Sequence, residues 1–274
     1  MGQTKIEISQ FRVPPDTLVS LDEHDPDSKF GFEEGKQDGK RALPALNDEL
    51  SALQKRLWAE SKQKLLLVLQ ATDTGGKDGT IRKVFTGVNP QGIKVHPFGK
   101  PTEEELAHDY LWRIHQHTPA NGRITVFNRS HYEDVLVVRV RNLVPPERWE
   151  KRYRHINEFE RMLADEGTRI VKVYLNISRE EQKERLEARL DNPDKNWKFN
   201  KADLDDRAMW DDFREAYEAM LSRTSTPHAP WYVVPANRKW YRNLVVSQIL
   251  IDTLNEMDPR YPDPEEDLDA LVVE

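Results

Sequence analysis

The residues most suggestive of chemistry lie in the segment ATDTGGKDGT, at positions 71–80. An apolar run at 65–69 precedes it and predicts one buried strand, and apolar residues at 81, 84, 85 and 88 follow at helical spacing. A strand, a glycine-bearing turn with a lysine, and a helix are typical of a phosphate-binding loop, in which backbone N–H groups and the helix dipole face an anion. The expected phosphate-binding residues are Thr74, Gly75, Gly76, Lys77, Asp78, Gly79 and Thr80.

This segment departs from the usual pattern G-x-x-x-x-G-K-[ST] at two positions. Ala71 replaces the first glycine, and Asp78 replaces the hydroxyl residue that normally contacts magnesium. Asp73 would repel a phosphate unless a metal ion lay between them, so we expect Asp73 to hold Mg²⁺ and the loop to bind a metal-masked polyanion. Lys77 would then supply a full positive charge to a terminal phosphate. The alternative is an ordinary strand-turn-helix with a Gly-Gly turn.

A second buried strand is predicted at 124–127, and it ends in Asn128-Arg129-Ser130. In phosphate-loop enzymes this strand usually ends in an aspartate that orients magnesium. Asn128 carries no charge, so Asp73, with Glu133 or Asp134 as further candidates, would supply it. Arg129 is expected to neutralise charge on a transferring phosphoryl group. The alternative is that this tripeptide only caps the next helix.

Basic residues form two further groups. In the first, at about 179–209, Arg185 and Arg189 share a helical face and Lys195 and Lys198 follow in a turn, which predicts a lid that closes over phosphates and excludes water. A solvated face of salt bridges is the alternative. The second group is expected to bind an extended polyanion, because the total positive charge exceeds what one nucleoside triphosphate requires. Its members are Arg82, Lys83, Lys94 and Lys100. The alternative for the first two of these is simple exposure to water.

Strands are predicted at 65–69, 92–98, 124–127, 170–177 and 231–234, with helices between them. This alternation predicts an α/β fold of the phosphate-loop kinase type, with a parallel sheet, helices on both faces and a helical lid. Ligands of such sheets bind beyond the carboxyl ends of the strands. Pro44 is expected in the first turn of a helix, and Thr102 with Glu105 predicts a capping box for a helix that continues to Ile114.

We expect three regions along the chain. Residues 1–42 are predicted to be an irregular arm that wraps on the body or on a partner subunit. Residues 43–258 form the kinase-like domain, and residues 259–274 form an acidic tail rich in proline.

Composition limits the remaining functions. The 274 residues include no cysteine, so a disulfide framework and thiolate metal sites are excluded. The formal net charge of −7 argues against nucleic-acid binding, and no apolar run approaches a membrane span. Eight histidines without paired spacing predict no structural metal. We expect a cytoplasmic protein without a membrane partner.

At these motifs the sequence resembles the polyphosphate kinase type 2 family. The resemblance extends from about Gln54 to Met257. The motifs that carry it are ATDTGGKDGT, LWRIHQ, FNRSHYEDVLVVRV, RLEARLDNPDKNWKFN and DDRAMWDDF. The resemblance implies a fold similar to thymidylate-kinase-like enzymes and transfer of phosphoryl groups between inorganic polyphosphate and AMP, ADP or ATP, with Mg²⁺.

By the same resemblance, Asp73 and Lys77 would act in the loop and Arg129 at the second strand, while Arg185 and Arg189 would act in the lid. Asn128 and the later Glu-Asp pair resemble the subgroup that accepts both AMP and ADP. We expect the base of the acceptor near the loop after Pro235, and a homo-oligomer, either a dimer or a tetramer. An ATP-dependent nucleoside or nucleotide kinase and a non-catalytic polyanion-binding module remain the alternatives.

Overall fold

A computed structural model describes residues 6–264 of the chain. Five parallel strands form one sheet in the order β2-β3-β1-β4-β5. The strands are β1 (Lys64–Gln70), β2 (Ile93–Pro97), β3 (Ile124–Asn128), β4 (Thr168–Asn176) and β5 (Trp231–Pro235). All five strand predictions are confirmed. The carboxyl ends of β1 and β3 meet at one edge, where Leu69 lies opposite Asn128.

Helices cover both faces of the sheet, as the alternation of elements predicted. They are α1 (Lys36–Glu60), α2 (Lys77–Val84), α3 (Glu103–Ala107), α4 (Trp112–His115), α5 (Val137–Val140), α6 (Pro146–Asp165), α7 (Arg179–Leu190), α8 (Ala202–Ala208), α9 (Trp210–Thr224) and α10 (Lys239–Met257).

Two apolar layers hold these helices on the sheet. Alternate residues of a strand point to opposite faces, so Leu65, Leu67 and Leu69 of β1 pack in the layer of α1 and α10. Leu66 and Val68 pack in the other layer, with α6 and α9. Side chains 65–69 are fully buried, which fixes the end of β1, and therefore the start of the phosphate loop, rigidly in the core.

Two helix predictions were wrong in their bounds. Helix α1 begins at Lys36 and contains Pro44 in its interior. Its first turns are mostly exposed and therefore lack an apolar pattern, although Gly39 packs directly against Trp240.

The predicted helix from Thr102 to Ile114 is two short helices. The capping box is confirmed at Thr102 and Glu105, but α3 ends after one turn, where His108 adopts an extended conformation. Leu106 is consequently exposed, while Ile114 of α4 is buried.

The N-terminal arm packs on the body of the same chain. Val13 N–H donates to the Trp231 carbonyl at 2.9 Å, and Arg12 forms an antiparallel bridge with Tyr232 beside β5. Further along, Val19 N–H donates to Ser222 Oγ at 2.8 Å. The first five residues and most of the predicted acidic tail lie outside the described residues. No helix between residues 6 and 264 is both long and apolar enough to cross a membrane.

Candidate active site

The phosphate loop connects β1 to α2 through two residues in the left-handed region. Thr74 has φ 61° and Gly76 has φ 102°, and Gly75 N–H donates to the Thr72 carbonyl at 3.0 Å. Helix α2 begins at Lys77, so the N–H groups of its first turn have no partner within the helix. They lie at a cleft of about 1010 Å³, open to solvent and lined by residues 73–79. This is the geometry of an anion site at a helix N-terminus.

Lys77 lies beneath the loop. Its Nζ donates to the Ala71 carbonyl at 3.0 Å, which folds the side chain back along the loop. Desolvation and the neighbouring Arg129 lower the pKa of Lys77 to about 8, although Asp73, Glu133 and Asp78 act in the opposite direction. The ammonium is therefore poorly compensated, and an arriving phosphate would stabilise its charged form.

The end of β3 brings two more side chains to the loop. Asn128 Nδ2 donates to Asp78 Oδ1 at 2.9 Å, so the two unusual residues of the loop and the second strand contact each other. Arg129 has φ 63° and donates from Nη2 to Asp73 Oδ1 at 2.8 Å. A left-handed non-glycine residue is strained, and such residues cluster at functional sites.

The two acidic candidates after β3 have different locations. Glu133 lines a small cavity together with Asp73 and Arg129, and desolvation raises the pKa of its carboxyl. Asp134 instead accepts from Arg152 Nη1 at 2.7 Å, in a separate cavity that Tyr110 also lines. The expectation that Asp134 could supply charge at the loop is therefore wrong, because the short helical turn His131–Asp134 points consecutive side chains in different directions.

The small cavity shares Asp73 and Arg129 with the open cleft. Trp210, Phe213 and Tyr217 of α9 form its aromatic wall. A cavity with an aromatic wall and a few converging charged groups suits the base and phosphate of a small ligand. Residues after Pro235 line neither cavity, so the expected location of the acceptor base is not supported.

The predicted lid comprises α7, a turn and α8, and its two arginines differ. Arg189 lines the open cleft and pairs with Asp203 Oδ2 at 3.3 Å. Arg185 is buried and donates to the carbonyls of the phosphate loop and of the turn after β5. The acceptors are Thr74 O at 3.0 Å, Gly75 O at 3.1 Å, Ala236 O at 2.6 Å and Asn237 O at 3.2 Å. Arg185 thus binds backbone carbonyls in the interior, so the prediction that it lies on the surface of the lid is wrong.

The cations that were expected to bind a polyanion also differ in their location. Arg82 lines the open cleft, but Lys83, Lys94 and Lys100 do not. Lys83 is exposed on α2, and Lys94 Nζ lies 3.3 Å from His117 Nδ1 near the amino end of β2. Lys100 and Lys195 are exposed and outside both cavities. The side chain of Lys198 lies outside the described part of the structure.

Sequence reasoning missed two acidic residues that face Asp73. Asp203 lines the open cleft, and burial together with Asp73 raises its pKa to about 6. Asp206 lines the aromatic cavity and pairs with Arg141, and burial raises the pKa of its carboxyl as well. The segment DDRAMWDDF contained Asp206 and the aromatic residues Trp210 and Phe213, so its mixture of acids and aromatics was an available signal. Arg242, beneath the loop, was also missed.

Carboxylates near the loop suit a magnesium ion. Within residues 6–264, no group of three or more histidine or acidic side chains is close enough to form a complete metal site. Mg²⁺ is usually held by one or two carboxylates together with water and substrate phosphates, so a complete protein cage is not required. Asp73, which points to both cavities, meets this requirement.

A parallel sheet, a lysine-bearing phosphate loop and an arginine at the second strand define the class of phosphate-loop kinases. Within this class, residues 33–262 match the model of the family described as Polyphosphate kinase 2. The chain belongs to the polyphosphate kinase 2 family.

Relatives and a solved structure agree with this assignment. The chain is 58% identical to the AMP/ADP-polyphosphate phosphotransferase of Meiothermus ruber, over 97% of this chain and 100% of that protein. It is 44% identical to the ADP-polyphosphate phosphotransferase of Rhodopseudomonas palustris, over 94% and 93% of the two chains. The crystal structure of polyphosphate kinase 2 from Arthrobacter aurescens TC1 superposes with a TM-score of 0.94 at 45% identity, covering 98% of this chain and 96% of that one.

Proposed function

We propose that this chain is a polyphosphate:nucleotide phosphotransferase that moves phosphoryl groups from inorganic polyphosphate to AMP and ADP, with Mg²⁺. One observation carries the proposal: an open cleft at the phosphate loop and a smaller aromatic cavity share Asp73 and Arg129 as their common wall. A phosphoryl donor in the first and an acceptor in the second would meet at that pair.

The open cleft suits the donor. The cleft extends from the phosphate loop past Arg82 to Arg189. Cations along its length, beyond Lys77 at its base, favour a chain of phosphates over a single phosphate group. Names of the relatives support the same donor, since both curated relatives above are polyphosphate phosphotransferases.

The aromatic cavity suits the acceptor nucleotide. Trp210 and Tyr217 would contact the base and sugar, while Arg129 at the cavity wall would face the acceptor phosphate. That phosphate is already ionised, so transfer requires no demanding deprotonation. Asn128 is not part of this cavity but binds Asp78 beside it, where it can influence the metal and the second phosphate. The name of the Meiothermus ruber relative supports acceptance of both AMP and ADP.

Positioning and charge neutralisation would perform the reaction, as in other phosphoryl transfers. Lys77 and the N–H groups of α2 would hold the terminal phosphate of the donor. Arg129, already oriented by Asp73 at 2.8 Å, would neutralise the equatorial oxygens of the transferring group. The ion pair with Asp73 holds the guanidinium where both cavities meet, which lowers the entropy lost on reaching the reactive geometry.

Asp73 would hold Mg²⁺, with Asp203 and Asp206 near it. The ion would supply charge neutralisation between donor and acceptor phosphates. Burial, and then the negative charge of Asp73, raise the pKa values of Asp203 and Asp206. A divalent cation at this point would relieve that repulsion.

The decisive experiment supplies the purified chain with AMP, polyphosphate and Mg²⁺ and measures ADP and ATP by chromatography. We expect both products, none without Mg²⁺, and formation slower by about a hundredfold or more with Lys77→Met. A parallel reaction with nucleoside and ATP tests the alternative kinase activity. Product only in the second reaction would reject polyphosphate as donor, and no turnover in either would favour a non-catalytic polyanion-binding module.

We further propose a cytoplasmic homo-oligomer, either a dimer or a tetramer. Light scattering on the purified chain measures the subunit number directly. Closure of the segment 179–209 over the donor stays a prediction, and protection of that segment from proteolysis on addition of polyphosphate would test it.

A further inference from the structure

Four lysine or arginine side chains are buried in the described part of the chain, and three of them pair with a carboxylate. The three pairs are Lys172–Glu160 at 2.6 Å, Arg152–Asp134 at 2.7 Å and Arg185–Glu181 at 2.6 Å. The fourth is Arg242 of α10, which is only 3% exposed. Its Nη2 and Nε donate to the neutral amide oxygen of Asn243 at 2.9 and 3.2 Å. Between residues 6 and 264, no carboxylate forms an ion pair with it.

The guanidinium of Arg242 lies directly beneath the phosphate loop. A Cβ atom at Gly76 would overlap Arg242 Nη1, and a Cβ at Gly79 would lie 3.5 Å from Nη2. Arg185 Nη1 approaches the same Gly76 position to 3.5 Å. The loop backbone between Gly76 and Gly79 therefore rests on two guanidinium groups, of which only Arg185 has a carboxylate partner.

Burying a charge without a counter-ion is costly. Desolvation and the like charge of Arg185 both lower the pKa of Arg242, which reflects this cost. A cation that only filled space under the loop could be replaced by an apolar side chain of similar length, often with a gain in stability. An arginine at this position therefore points to a counter-anion that is not among the described residues 6–264.

We propose that Arg242 is a positioning residue for the phosphate donor, and that its counter-anion is the phosphate bound on the opposite side of the loop from Gly76 to Gly79. The inference rests on the proposed function, because it assigns the anion to the donor cleft. Arg242 does not touch the phosphate. Its fixed charge acts through the thin glycine backbone and adds to the partial charge of the α2 N-terminus.

The test compares Arg242→Met, which keeps the length but removes the charge, with Arg242→Lys. Binding of inorganic tripolyphosphate is measured by calorimetry, and KM and kcat are measured with polyphosphate and AMP. We expect Arg242→Met to weaken tripolyphosphate binding and raise KM for polyphosphate about tenfold, from one charge at close range. KM for AMP should change far less. Arg242→Lys should restore most of the binding.

Two measurements separate this role from a merely structural one. The thermal midpoint of Arg242→Met should equal or exceed that of the wild type, because the change removes an unpaired buried charge. The loss of binding should also persist at high salt, since a buried charge is weakly screened. Arg154→Met is the matched control: Arg154 is exposed on α6 beside Glu158, and its replacement should leave tripolyphosphate binding unchanged.

Unchanged tripolyphosphate binding by Arg242→Met would overturn the inference, and so would a loss that follows a lower thermal midpoint and is not restored by lysine. Neither result would affect the proposed function as long as the wild type transfers phosphate from polyphosphate. Failure of that transfer in the wild type would reject the proposed function, and the tripolyphosphate measurement would still decide the role of Arg242.

Discussion

Two buried cations, Lys172 of β4 and Arg242 of α10, have opposite surroundings. Lys172 Nζ donates to Glu160 Oε2 at 2.6 Å, to Tyr132 Oη at 2.8 Å and to the Thr224 carbonyl at 2.6 Å. Arg242 contacts a neutral amide and a like charge instead. The compensated charge of Lys172 stabilises the fold, whereas the uncompensated charge of Arg242 is the one that we propose to act on the donor phosphate.

The cluster around Lys172 and Glu160 also supports the active site, although it does so indirectly. Tyr132 and His131 both contact Glu160 Oε1, at 2.7 and 3.2 Å. They follow Arg129 in the chain, so the buried pair of Glu160 and Lys172 anchors the turn that presents Arg129 to the cavities. Desolvation lowers the pKa of His131, which keeps the ring neutral and leaves one formal negative and one formal positive charge in the cluster.

The largest expected effect comes from breaking the compensated cluster. Lys172→Met would leave Glu160 buried without a counter-ion, and we expect a loss of about 3–5 kcal/mol in the free energy of unfolding. Urea denaturation measures it. The double variant with Glu160→Leu should recover much of the loss, because neither charge then remains. A single variant as stable as the wild type would contradict the distinction between the two clusters.

Next in size is the loss of the loop lysine. Lys77→Met should reduce kcat about a hundredfold or more, corresponding to about 3 kcal/mol of transition-state stabilisation, without a matching loss of stability. The matched control is Lys83→Met on the exposed face of the same helix, which should keep most of its activity. If Lys77→Met kept half of the wild-type kcat, the assignment of Lys77 to the donor phosphate would be refuted.

Asn128→Asp should have a selective effect of about tenfold. It places a second carboxylate where the amide now donates to Asp78 at 2.9 Å, so two like charges would meet unless Mg²⁺ separates them. We expect the ratio of AMP to ADP phosphorylation to change, measured from initial rates with each acceptor. An equal change with both acceptors would leave Asn128 without a selective role.

The pH dependence should reveal the poorly compensated lysine. The pKa of Lys77 is lowered to about 8, so its side chain is positively charged below that pH. The charge is lost as the pH rises through this value. We expect kcat/KM for polyphosphate to fall above about pH 8, by up to tenfold per pH unit. Lys77→Arg, which stays charged, should shift this decline to higher pH. A decline at the same pH in that variant would assign it to another group.

The smallest expected effect distinguishes two exposed cations, Arg82 and Lys94. Arg82 lines the donor cleft whereas Lys94 does not, so Arg82→Gln should raise KM for polyphosphate about threefold and Lys94→Gln should leave it unchanged. The Arg82 effect should shrink with added salt, because that side chain is screened by solvent. Equal effects of the two changes would mean that polyphosphate extends along β2 as well.

Local sequence patterns were sufficient for the strands and for much of the site. Four of the five strands are largely apolar or β-branched runs, so their locations need no knowledge of their neighbours, and β2 is a shorter, mixed segment between two turn signals. The turn at 71–79 and the tripeptide after β3 are also local, and strand order then brings Leu69 opposite Asn128. Helix bounds were less predictable, because the start of α1 is exposed and carries no apolar pattern.

By itself, therefore, the sequence determined the parallel sheet, the phosphate loop with Asp73 and Lys77, and the arginine that follows the second strand. Only the tertiary structure decided which cations face ligand and which face backbone. Arg185 and Arg189 are four residues apart on one helix, yet one is buried on carbonyls and the other lines the cleft. Arg242 meets Gly76 across more than 160 positions of sequence. The physical reason is that an arginine has the same local pattern in either setting, while its burial and partners are set by long-range packing.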